Sequence, residues 1–115
     1  MKLFNIFKKN KQTNNPNKLE INIDKFWKWF SNNESYIIEN LKTNPQEVIY
    51  YIDFYLKQVF PYFKQELEFQ LGYNNGNGEF FFFHFGNKKL MKDSMLLKNR
   101  IPKELSSRWR VILEN

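Results

Sequence analysis

His84 is the single histidine of the chain, and histidine is the side chain whose ordinary pKa lies near neutrality. To act as a base it needs a nucleophile or an orienting carboxylate within hydrogen-bond reach. Glu66, Glu68 and Gln70 alternate with Leu67, Phe69 and Leu71. They therefore share the outward face of one strand, and a cross-strand His84–Glu68 contact is the arrangement to look for. Glu66 and Glu68 joined by Glu79 would form a set of hard oxygen ligands. Cation sites of that class draw on more acids, often in loops, so the expectation is a solvated acidic strand face, with no metal and no other cofactor. Gly72, Gly76 and Gly78 have the composition of a phosphate loop but not its context. Such a loop opens a helix, and here another apolar strand follows. No catalytic set assembles from these residues.

Composition narrows the field further. The chain has 115 residues, enough for one domain. Hydrophobic residues make up 42% and aromatic residues 19%, so a core is available and it is rich in rings. Cysteine is absent, which removes disulfides, thiolate zinc sites and cysteine nucleophiles. No apolar run approaches the roughly 20 residues that span a bilayer as a helix. The net charge is +6, a value that invites a nucleic-acid reading, but its distribution weakens that reading. Residues 1–20 hold five lysines against Glu20, while residues 21–115 hold 13 basic and 11 acidic side chains. A nearly neutral body carries a basic arm. The 16 asparagines and the missing alanine fit AT-rich coding, which also explains lysine without recourse to function.

The arm, residues 1–18, reads as a basic, partly disordered segment and linker. Leu3, Phe4, Ile6 and Phe7 stand at helical spacing beside Lys8, Lys9 and Lys11. Such a segment can lie on an anionic membrane surface or track a nucleic-acid backbone. It lacks the apolar length of a secretory signal, and position 2 is lysine, which excludes N-myristoylation. Asn10 to Lys18 is polar and carries Pro16, so the single domain is expected over residues 19–115.

The elements of that domain follow from spacing. Asp24 is the expected N-cap of a first helix holding Phe26, Trp27, Trp29 and Phe30, with an interruption at Ser31–Glu34 and continuation through Tyr36, Ile37 and Leu41 to about Lys42. Pro45 opens a second helix. Val48, Ile49, Ile52, Leu56, Val59 and Phe63 form its apolar stripe, and Pro61 ends it near Phe60. The period then drops to two over Leu67, Phe69 and Leu71. A Gly/Asn turn leads into Phe80–Phe85, which is apolar on both faces and therefore central. Lys88–Asn99 reads as a third helix with Leu90, Met91, Met95 and Leu97 inward, and Arg108–Leu113 as a third strand. In that strand Trp109, Val111 and Leu113 face one way, with Arg110 and Ile112 facing the other. The order α-α-β-β-α-β predicts an α+β fold with helices on one face of a small mixed three-stranded sheet.

The ordered set Phe26-Trp27-Lys28-Trp29-Phe30, Leu67-Glu68-Phe69 with Gly72, Glu79-Phe80, Gly86-Asn87, Pro102 and Arg108-Trp109-Arg110-Val111 resembles a family of small uncharacterised bacterial α+β proteins. The resemblance covers about Phe26 to Val111. It implies a fold and a bacterial source but no activity. Family members continue past the R-W-x-V strand, so the resemblance implies a truncated member.

A folded body rich in rings and without a catalytic set points to a non-enzymatic, cytoplasmic protein-interaction module. Small bacterial α+β proteins of this kind often serve as antitoxin or immunity partners, which is an analogy of class and nothing more. Trp27 and Trp29 are two apart on a helix and cannot share a face. One is expected in the core and the other at the surface, where tryptophan is a common anchor. Arg108 and Arg110 flank Trp109 and complete the partner-binding candidates. The alternatives are nucleic-acid binding through the arm and an exposed side of Phe80–Phe85, membrane-surface contact through residues 3–11, and a homodimer through an open sheet edge.

Overall fold

The computed structural model describes residues 17–115. Helix α1 runs Lys18–Asn32, α2 Glu34–Thr43 and α3 Pro45–Val59; then come β1 Glu68–Asn74, β2 Asn77–Phe83, α4 Lys88–Asn99, the one-turn α5 Lys103–Ser106 and β3 Trp109–Glu114. The class is α+β. The sheet order is β1-β2-β3, with β1 antiparallel and β3 parallel to the central, phenylalanine-rich β2.

The first helix begins earlier than its apolar residues suggest. Asn17 is the N-cap, its Oδ1 accepting from the Glu20 N–H at 2.8 Å. Asp24 is therefore mid-helix and not a cap. It receives both Nε and Nη2 of Arg100 at 2.9 and 2.7 Å, tying α1 to the end of α4. The interruption falls at Asn33, whose side-chain amide donates to the Trp29 carbonyl at 2.8 Å. That bond adds a second donor to a carbonyl that already accepts the Asn33 backbone N–H at 3.1 Å, and a side chain turned back on the backbone competes with continued helix. Pro45 occupies the first turn of α3 as expected.

One face of the sheet is covered. Phe80 and Phe82 are buried there, with Trp109 and Val111 beside them. Phe26, Trp27 and Phe30 of α1 meet Phe80, and Phe60 stacks on Phe82 with centroids 5.3 Å apart. Each fully buried ring of this kind contributes about 1.5–3 kcal/mol of transfer free energy. The other face keeps Phe81, Phe83 and Ile112 half-buried, with Glu68, Gln70, Arg110 and Glu114 exposed around them.

Asn75 and Gly76 both take positive φ, 51° and 80°, and join β1 to β2 as a two-residue turn of the kind that matches strand twist. The central strand stops at Phe83 and not at Phe85. His84 closes the next turn through its own carbonyl, which accepts from Asn87 N–H at 2.9 Å, so Phe85 swings into solvent.

In α4 the buried residues are Leu90, Asp93, Ser94 and Leu97, while Met91 and Met95 are exposed. Leu90 and Leu97 are seven apart and define the inner stripe; Ser94 lies on it, and each methionine is rotated about 100° away. For the same reason Ile49, one residue beyond Val48, leaves the buried stripe of α3, which comprises Val48, Ile52, Leu56 and Val59.

Candidate functional site

Trp27 is 1% exposed. Its indole N–H donates to the Leu97 carbonyl at 2.9 Å. That carbonyl belongs to the last turn of α4, where no backbone donor follows to meet it in the helix pattern. Trp27 is therefore a structural residue locking α1 to α4, and it offers no surface to a partner.

Arg108 grips Glu34, with Nε and Nη2 on the two carboxylate oxygens at 2.7 and 2.8 Å. The Trp109 indole N–H adds a third donor to Glu34 at 2.9 Å. The Arg108 hydrogen bond, seconded by Trp109, holds the Glu34 carboxyl below its ordinary value against the opposing effect of partial burial. Arg110 extends along the open sheet face to Glu79 at 2.7 Å. Both arginines are committed to carboxylates of the same chain. Leu3, Phe4, Phe7, Lys8, Lys9 and Lys11 lie outside the described residues.

His84 is 7% exposed. Its Nδ1 accepts from the Gly86 N–H at 3.1 Å, within its own turn, whereas Glu68 stands in solvent. The expected His84–Glu68 contact is not made. Glu79 is taken up by Arg110, and no cluster of three or more acidic or histidine ligands occurs among the described residues. Among them, too, no helix is long and apolar enough to cross a membrane. Asp93 is buried but answered: the Tyr62 hydroxyl donates to it at 2.7 Å and Lys89 lies 3.4 Å away, with Lys89 also 4.4 Å above the Tyr62 ring.

Among the described residues, three of the four exposed rings, Tyr50, Tyr51 and Phe54, are on α3. Val48, Ile52, Leu56 and Val59 occupy its core side. Tyr50 and Phe54 stand four residues apart on the opposite side, 66% and 51% exposed. Tyr51, 40% exposed, and Tyr55 continue the aromatic surface toward α1 and α2. There Trp29 lies against Tyr55, centroids 4.4 Å apart and planes 24° from parallel. Tyr36 meets Tyr51 edge to face at 6.2 Å.

Between these rings opens a cleft of about 270 Å³, lined by Trp29, Asn33, Tyr36, Glu47, Tyr51 and Tyr55. The Tyr36 hydroxyl donates to the Glu47 carboxylate. That bond raises the Tyr36 pKa to about 12, because a phenolate beside a carboxylate is disfavoured. A carboxylate thus stands at the rim of an aromatic cleft.

Of the four partner-binding candidates, Trp29 alone reaches this site. Tyr36, Glu47, Tyr50, Tyr51, Phe54 and Tyr55 do not stand out when only the core stripe is read. The signal for them is present in the residue pattern. Once positions 48, 52, 56 and 59 fill the core side, large rings at 50, 51, 54 and 55 are surplus to it. No protein-family model, curated protein or solved structure matches the chain.

Proposed function

We propose that the protein is a non-enzymatic interaction module that docks a protein partner on the aromatic outer face of α3. The observation that carries this reading is the Tyr50–Phe54 pair, exposed at the outer end of a ring-rich surface that continues through Tyr51 and Tyr55 to Trp29. Aromatic side chains bring large contact area at little entropic cost and are the commonest energetic anchors of interfaces. The occupant is a basic protein surface. Of the four acids on the α2–α3 hairpin, residues 34–59, Glu34 is taken by Arg108 and Asp53 by Lys57, which leaves Glu39 and Glu47 against Lys42, on a chain whose net charge is +6. Local charge of opposite sign to the whole favours a positively charged partner at this face.

The rival nucleic-acid reading finds less support on the sheet. The exposed side of β2 presents Phe81 and Phe83, but Glu68, Glu79 and Glu114 surround them and Arg110 is neutralised by Glu79. Single-strand binders combine stacking rings with a positive groove. A cytoplasmic location belongs to the same proposal, and a cysteine-free chain is compatible with it. The test is site-specific photo-crosslinking from position 54. One identified protein should crosslink there and not from Lys28 on α1, and that protein, once purified, should rebind the unmodified chain. Crosslinking to nucleic acid, or equally from both positions, overturns the proposal.

A further inference from the structure

The cleft beside the docking face has a chemistry of its own. Its walls are the rings of Trp29, Tyr36, Tyr51 and Tyr55, and its charged group is Glu47. Ring faces carry negative quadrupole potential and attract cations, most strongly at tryptophan and tyrosine. A carboxylate in the same cleft adds a full negative charge. Tyr36 already supplies Glu47 with one hydrogen bond, and no cation of the described residues pairs with it. The volume, about 270 Å³, is enough for one long side chain.

We infer that this cleft receives an arginine side chain of the docked protein, with the guanidinium stacked among the rings and hydrogen-bonded to Glu47. Arginine is favoured over lysine on three counts. Its planar head lies flat on aromatic faces, it pairs with a carboxylate through a two-pronged fork, and it is more weakly hydrated than an ammonium. The chain's own arginines form the same two-pronged fork on Glu34 and Asp24. The inference rests on the proposed docking face and names what the partner must present there.

The experiment is an NMR titration of the full chain with Nα-acetyl-arginine methylamide, in parallel with the lysine analogue and with the citrulline analogue, which has nearly the same size and no charge. The Trp29 indole N–H should shift saturably with the arginine compound, while the buried Trp27 and Trp109 indoles stay in place. Glu47→Gln, a change at an exposed side chain, should weaken that binding about tenfold, and citrulline should bind at least about tenfold more weakly than arginine. Equal responses to arginine and citrulline overturn the inference. So does the absence of saturable shifts at Trp29, or unchanged affinity in Glu47→Gln. The titration reads the cleft without any partner. If it fails while crosslinking from position 54 persists, the arginine inference falls and the docking face stands; if crosslinking fails, the docking proposal falls whatever the titration shows.

Discussion

Trp29 and Trp27 sit two residues apart on one helix and have opposite fates. Trp27 is sealed in the core with its N–H on the Leu97 carbonyl, while Trp29 stacks on Tyr55 at the edge of an aromatic cleft. Their separation of about 200° around the helix axis is enough to send one ring into the core and the other to the cleft.

The division can be measured. Trp27→Phe removes the indole donor and leaves the Leu97 carbonyl buried without it, and it opens space beside Phe26 and Phe30. The expected loss of stability is about 2–4 kcal/mol, read by urea denaturation. Trp29→Phe keeps a ring against Phe26, Phe30 and Tyr55 and strands no buried acceptor; it should cost only about 1 kcal/mol while reducing partner binding. Equal destabilisation by the two changes would contradict the assignment.

Glu34 should make the fold acid-sensitive. Its folded pKa lies below the ordinary 4.5 because Arg108 and Trp109 donate to the ionised form. A depressed carboxyl contributes stability that is fully present above the unfolded value and is lost as pH falls through the folded one. The wild type should therefore exceed Glu34→Gln by about 1 kcal/mol at neutral pH. The gap should close as pH drops below 4.5. Urea midpoints of both proteins across that range check this; a gap independent of pH would show that the Glu34 charge contributes nothing.

Much of this architecture is legible in the residue order. The change from period four in α3 to period two in β1, the Asn75-Gly76 turn and the doubly apolar central strand are local patterns, and local sterics produce them. Asp24 and Met91 show where local reading stops. Asp24 has the right type for a cap, but Asn17 captures the helix start and Arg100, 76 residues away, claims Asp24 instead. Met91 and Met95 are apolar, yet Ser94 lies on the line joining Leu90 and Leu97 and takes the inner place. The cleft was hidden for a similar reason. Its residues come from three helices, and only their packing brings Trp29, Tyr36 and Tyr55 together.

Gly78 should tolerate no side chain. A Cβ built there would stand 2.4 Å from the Trp109 ring, and the ring is held by Glu34. Gly78→Ala must therefore displace either Trp109 or the strand, at a cost of about 1–3 kcal/mol. Denaturation monitored by tryptophan fluorescence should show the loss together with an altered Trp109 environment. Unchanged stability would mean that β2 and β3 do not meet in the described register.

Tyr36 should resist ionisation. With the Glu47 carboxylate accepting its hydroxyl proton, its pKa rises to about 12. Because Tyr62 is also raised, by burial and by its bond to Asp93, the two must be told apart by substitution. In an ultraviolet absorbance titration, Glu47→Gln should bring one late-titrating tyrosine back toward its ordinary 10.0. A curve identical to that of the wild type would remove the Tyr36–Glu47 bond from the cleft.

The docking face itself is tested by the affinity of the purified, crosslink-identified partner for the wild type and for Tyr50→Ser combined with Phe54→Ser. Both residues are exposed, so the double change should alter folding stability by less than about 1 kcal/mol. A docking role for this face requires that binding fall by about tenfold or more, equivalent to about 1.4 kcal/mol or more. Undiminished affinity in a folded double variant would contradict it.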